Sequence, residues 1–288
     1  MSVLIVLIGV LGLAFFHTFY PSPPAAQVNA ASDLATKQRE DFDYLRNYFN
    51  LNRSFTVESR GHAEALLAQY LERSGSLSPA QFDLAISEII AFADNGHSHV
   101  QPGPLSGRHN RLPCRLYHFD DGFRIIRARP ACAELLGAKV LQLDGRPIGS
   151  VADGMFKYFG GPKNHFDQLA AVVFLESPEL LNAAGLAVAV DRVILHVELA
   201  GGAKHDVTIV AEAPDATAAK VYSDKYLSPE RIENEPKDWI PLLARDAELP
   251  LFLQNYSTEP FQAKYWPDER LYYAQFRSNE DEPGHPIG

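Results

Sequence analysis

His97 and His99 stand one residue apart, just past what reads as the end of a helix, with Asp94 and Asn95 immediately before them. In an extended segment both imidazoles would point to one face. That arrangement suits a metal ion, and Asp94 could join the pair. Catalytic zinc needs about three protein ligands and an open position, and the other histidines are scattered without motif spacing. A structural reading fits the residue types better. Gly96 frees the backbone of an Asn95-Gly96-His97 turn, and His97 hydrogen-bonds to hold a helical unit against its neighbour. A third reading places His97 beside the cleft of a complete enzyme. No metal and no cofactor is expected.

Other reactive residue types give less. Cys114 and Cys132 are about 18 positions apart, and a disulfide between them would be worth about 3 kcal/mol in the chain-entropy account. Two buried, unpaired thiols are the equal alternative. No CxxC pair occurs, which leaves a redox or zinc motif without support. No G-x-S-x-G elbow is present. Ser54, Ser59, Ser98 and Ser177 lie near helix ends or turns, where serine caps backbone. Asp120, Asp121 and Asp144 sit in turn sequences, which explains them better than paired carboxylates of a glycosidase would. Tyr256, Phe261, Tyr265, Trp266, Tyr272 and Tyr273 read as core or interface rather than a sugar platform.

The elements that must position these residues fall into an α+β pattern. Helices are expected over Asp33 to Asn50, Val57 to Arg73, and from Pro79 to a stop at Asn95-Gly96. The third has the clearest start: Ser78 as cap, Pro79 at the first helical position and Gln81 three residues after the cap. Residues 33–100 therefore read as a helical N-terminal domain. Residues 112–212 change to a strand period. Leu116 to Phe119 and Phe123 to Ile126 flank Asp120-Asp121-Gly122, a hairpin turn. A short helix at Ala131 to Leu136, a strand at Lys139 to Leu143, helical residues 149–184, and strands at Val193 to Leu199 and Val207 to Ala211 follow. Residues 213–288 are polar and proline-punctuated, with one clear strand, Leu271 to Phe276. It needs sheet partners that the surrounding sequence does not supply.

The chain opens on an apolar run, Val3 to Phe16, of about 14 residues, short of the 20 or so that span a bilayer. Residues 1–30 read as a signal peptide or an uncleaved anchor, with Val28-Asn29-Ala30 as a cleavage site. No Lys or Arg precedes the run. The rest of the chain is then exported, to the periplasm or another extracytoplasmic space. Membrane contact is expected only through residues 1–20, if they stay attached. The formal net charge of −10 over 288 residues argues against a general nucleic-acid binder and against electrostatic anchoring on anionic lipid.

Several segments, in order, resemble the tail-specific (C-terminal-processing) serine peptidase family in its bacterial exported branch. Ala93-Asp94-Asn95-Gly96-His97-Ser98 resembles the family's ADNGHT signature at a helix end. LPCRLYHFDDGFRIIRARPACAELLGAKVLQLDGRPI (Leu112 to Ile148), ESPELLNAAGLA (Glu176 to Ala187) and YWPDERLYYAQF (Tyr265 to Phe276) resemble successive parts of the same pattern. The resemblance covers roughly residues 33–280. It implies a helical N-terminal unit, a PDZ-like module over 112–212, and then, over 213–288, a linker and the first strand of an incomplete mixed α/β peptidase core. PDZ-like modules hold extended peptides by adding them to a sheet edge, so an extended peptide or a protein C-terminus is the implied ligand. The family's serine, its lysine or histidine activator and its oxyanion donors lie downstream of the last matching strand. No residue here takes the role of nucleophile. The expectation is the front part of a longer peptidase, inactive alone. The alternative is a non-catalytic periplasmic peptide-binding or scaffold module.

Overall fold

The computed structural model describes residues 33–100, 102–215, 227–230, 235–243, 248–254 and 261–276, with short stretches of the first 26. Most of the apolar leader, Gln101, Tyr256 and the residues after Phe276 lie outside the described part. Among the described residues, no helix is long and apolar enough to cross a membrane.

Three helices come first: α1 (Leu34–Leu51), α2 (Val57–Glu72) and α3 (Pro79–Ala91). Each begins on a side-chain cap. Asp33 accepts from the Thr36 N–H. Thr56 with Ser59 and Ser78 with Gln81 form reciprocal capping boxes. Phe42, Phe49, Leu67, Leu77, Phe82 and Ile89 make a core for these helices that is distinct from the larger one. Helix α3 ends at Ala91, earlier than Asn95-Gly96 suggests. The left-handed residue after it is Asp94 (φ 46°), an Asp whose short side chain tolerates that conformation.

A short helix, α4 (Pro102–Arg108), leads into a seven-stranded sheet. Its strands are β1 (Cys114–Phe119), β2 (Gly122–Ala128), β3 (Lys139–Leu143), β4 (Arg146–Pro147), β5 (Arg192–Glu198), β6 (Lys204–Val210) and β7 (Ile240–Pro241). The main order is β1-β2-β3-β5-β6, with β4 on β3 and β7 on β2. All the pairings are antiparallel. Asp120-Asp121 makes the β1–β2 turn, and Gly122 enters β2 at φ 121°. Between β3 and β5 the chain is helical: α5 (Ile148–Met155), a turn at Phe156–Tyr158, one turn at Lys163–His165, a π turn at Phe166–Ala170, α6 (Ala171–Leu175) and α7 (Pro178–Ala183). These helices cover one sheet face over Leu116, Ile125, Val140, Phe166, Phe174, Leu180 and Leu195. The residues expected as a helix at Ala131 to Leu136 form a 3-10 turn, Pro130–Leu135.

Residues beyond 212 return to this sheet. The β1–β2 register shifts between Arg115 and Leu116, which leaves Ile126 as an extra residue on β2. Its freed carbonyl accepts from the Leu242 N–H at 2.8 Å, beside β7. The strap carrying β7 is held by Arg127, a fully buried guanidinium. It donates to both Glu235 carboxylate oxygens (3.0 and 2.6 Å) and to the Ser228 carbonyl (2.7 Å). Arg115 lies over the Trp239 ring at 4.3 Å.

The strand expected at Leu271 to Phe276 is present as β9 and has a partner. Strand β8 (Phe261–Trp266) pairs with it along its whole length. This corrects the expectation of a strand without partners. Gln262 and Gln275 tie the hairpin to a 3-10 turn (Leu251–Leu253) by donating to the Leu251 and Phe252 carbonyls at 2.7 and 3.0 Å. The hairpin aromatics are not core. Phe261, Tyr265 and Tyr272 are exposed, and the Phe261–Phe276 and Tyr265–Tyr272 rings meet at a tilt across the strand pair.

Candidate functional site

The ADNGHS segment works as a joint. The Asp94 Oδ1 accepts from the Gly161 N–H at 3.0 Å. Asn95 Oδ1 accepts from the His97 N–H at 2.9 Å, and Asn95 Nδ2 donates to Ser54 Oγ at 3.0 Å. Ser98 is buried and accepts from Asn52 Nδ2 at 2.9 Å. Asn52 and Ser54, from the α1–α2 connection, thus meet the end of α3. Gly160 and Gly161 (both φ 71°) lie directly beneath. A Cβ on Gly160 would sit 2.5 Å from the Ala91 carbonyl oxygen, and one on Gly161 would sit 2.6 Å from the Gly96 nitrogen. A Cβ on Gly96 would meet Nδ1 of the exposed His165 side chain at 2.9 Å.

Neither histidine of the pair does what the spacing suggests. Residues 96–99 are turn and bend rather than extended chain, so the strand alternation that would set both imidazoles on one face does not apply. His97 is exposed, and its backbone, not its ring, is bonded to Asn95. His99 is half-buried and packs on Phe159 at 4.5 Å. Desolvation lowers its pKa, the neighbouring His97 lowers it further, and the Gly96 backbone opposes both. Among the described residues no group of three His, Cys, Asp or Glu side chains is placed to hold a metal ion. Cys114 and Cys132 are free, buried thiols. Burial, followed by Glu176 and Cys132, pushes the Cys114 thiol up, out of the range of a reactive thiolate. Asp144 is structural: its carboxylate accepts from the Val188 and Ile194 N–H groups, both at 2.8 Å.

One place with an unfilled capacity among the described residues is the outer edge of β1. This strand ends the sheet order and has no strand beyond it among the described residues. Two observations fix which backbone groups face outward. Ile125, the partner of Leu116, uses its N–H and C=O on Ala138 and Gly137, so the Leu116–Ile125 pair is a non-hydrogen-bonded one. The Leu116 N–H accordingly points off the sheet, to Glu176 Oε1 at 2.8 Å. Backbone groups alternate sides along a strand, which carries the N–H and C=O of His118 to the same outer side. A cavity of about 420 Å³ opens there, between β1 and the helical residues Asn164, Asp167 and Gln168. Tyr117, Phe119, Leu227 and Phe252 supply its apolar walls, and Asp120 stands at its rim.

The edge is set rigidly at its inner end. Glu176 is fully buried, pairs with Arg111 and Arg115, and anchors Leu116. A second buried group ties the helices to the sheet layer. His109 Nε2 lies 2.8 Å from Asp83 Oδ2 on α3, and its Nδ1 lies 3.4 Å from Glu179 on α7. Sequence reasoning missed both groups, because their partners are 26 to 70 positions apart and carry no motif spacing.

No protein-family model matches the chain, and no curated protein matches it. Among solved structures it is similar to a point mutant of CPAF, at 15% identity over 69% of this chain and 36% of that one, with a TM-score of 0.45. It is similar to mature CPAF complexed with lactacystin, at 16% identity over 63% and 35%, TM-score 0.46. The photosystem II D1 C-terminal processing protease matches at 14% identity over 65% and 44%, TM-score 0.21. The chain spans about a third of the length of the CPAF structures it matches.

Proposed function

We propose that this chain is the substrate-holding portion of a serine-type peptidase of the tail-specific kind, gripping an extended peptide along β1. The observation that supports this most is the outward-facing backbone of His118 at a cavity walled by strand β1 on one side and helical residues 164–168 on the other. Main-chain hydrogen bonds to a sheet edge give affinity, and a flanking pocket for alternate side chains gives selectivity. The cavity lies in the size range of ligand sites. The ordered family-like segments Ala93 to Ser98, Leu112 to Ile148 and Glu176 to Ala187 support the peptidase part of the reading. In this reading residues 112–212 are a PDZ-like module. The chain itself binds without cleaving, because the family pattern assigns its serine to no residue of this sequence. The apolar run Val3 to Phe16 supports an exported location as part of this reading.

The test is binding of extended, unstructured peptides to the purified 288-residue chain, with single backbone amides of the peptide N-methylated in turn. Micromolar binding that is lost at alternate amides and kept at the ones between supports strand addition. Binding indifferent to every N-methyl group contradicts it. Casein hydrolysis by this chain, blocked by a serine-directed reagent, would overturn the binding-only role.

A further inference from the structure

The cavity beside β1 has an uneven charge. Asp120 is exposed at its rim, and Asp167 lines its helical side. Asp167 shares the ammonium of Lys163 with Asp153, so one cation serves two carboxylates. With Asp120 added, the group of Asp120, Asp153, Asp167 and Lys163 is net negative by two charges, and of these Asp120 and Asp167 line the cavity. The neighbouring cations Arg124 and Lys139 are both engaged by Asp121. Of the other contributors, Tyr117, Phe119, Leu227 and Phe252 are aromatic or aliphatic and His118, Asn164 and Gln168 are polar; Phe119, Tyr117 and Leu227 pack together around Ile126. A pocket of this kind repels a carboxylate and favours an ammonium or guanidinium beside a large apolar side chain.

Building on strand addition at β1, we infer that the occupant is an internal, extended peptide segment bearing a Lys or Arg next to a large apolar residue, and not a free C-terminal carboxylate. The cation meets Asp120 and Asp167, and the apolar neighbour lies on Phe119, Leu227 and Phe252. The stem of the Lys or Arg covers apolar wall while its head stays at the polar rim.

The experiment is fluorescence anisotropy on the full chain with labelled peptides differing at one position, Lys against Glu, each as the amide and as the free acid. Expected are about tenfold tighter binding of the Lys peptide, a weaker preference at high salt, and no gain from the free carboxylate. Among the described residues Asp120 makes no ion pair, so Asp120→Lys is expected to fold normally and to turn the preference toward the Glu peptide. Peptides that bind with N-methyl sensitivity yet equally for Lys and Glu, or better as free acids, overturn this inference and leave strand addition standing. Peptides of neither charge binding at all overturn strand addition, and this inference with it.

Discussion

Single side chains fix the geometry of the β1 edge, and Glu176 is the one with the most at stake. It is wholly buried, and Arg111 is nearly so. Removing one partner of such a pair leaves an uncompensated charge. Glu176→Ala is expected to cost about 3–5 kcal/mol of stability, read from the urea midpoint, and to release the Leu116 N–H to hydrogen exchange. Glu176→Gln keeps the hydrogen-bond acceptor and should lose less. His99 carries a pH dependence. Its folded pKa is depressed, chiefly by desolvation, so the unfolded chain takes up the proton first. The stability tied to neutral His99 is present in full above the ordinary imidazole value and is lost as pH falls through that value to the lowered folded one. Urea midpoints at pH 7.5 and pH 5.5 should therefore differ less in His99→Phe than in the parent chain. An unchanged difference would mean that other groups set the acid limb.

Elements are where the sequence is most and least informative. Caps were readable. Ser78-Pro79 with Gln81, and Ser177-Pro178, start α3 and α7 as their spacing implies, and Ser78→Ala should cost about 1 kcal/mol. The Asp120-Asp121-Gly122 turn was readable for the same reason, because it is chemistry within a few residues. Helix α4 was not, since Pro102, Gly103, Pro104 and Gly107 look like loop. Strand β7 is two residues long, and the buried Arg127–Glu235 pair that positions it spans 108 positions, beyond any local signal. The ADNGHS joint stood out as a motif, but its partners Asn52, Ser54 and the Gly160-Gly161 pair did not. Those glycines give a sharp test. Gly160→Ala must force a left-handed alanine and push a Cβ against the Ala91 carbonyl, so it should destabilise by more than the ~1 kcal/mol that a conformationally compatible Gly→Ala change gains. The melting curve is the readout. Gly149→Ala, where nothing lies within 4 Å of the added Cβ, is the control.

At the scale of the molecule, a helical unit and an antiparallel sheet are joined through α3, the ADNGHS turn and the Asp83–His109–Glu179 contact, and the sheet leaves one strand edge beside a cavity. The strap through β7 and the turn before the β8–β9 hairpin deliver Leu227 and Phe252 to that cavity. Residues from distant parts of the chain therefore complete it, which is why neither motif nor period revealed it. The edge itself follows from one register fact, the outward turn of Leu116 and His118. Amide hydrogen exchange at His118, with and without a saturating short peptide carrying Phe and Lys, tests the central claim directly. Strand addition predicts that the His118 amide becomes protected on binding while Tyr117, bonded within the sheet, changes little. Peptide binding that leaves His118 exchanging as before would contradict it.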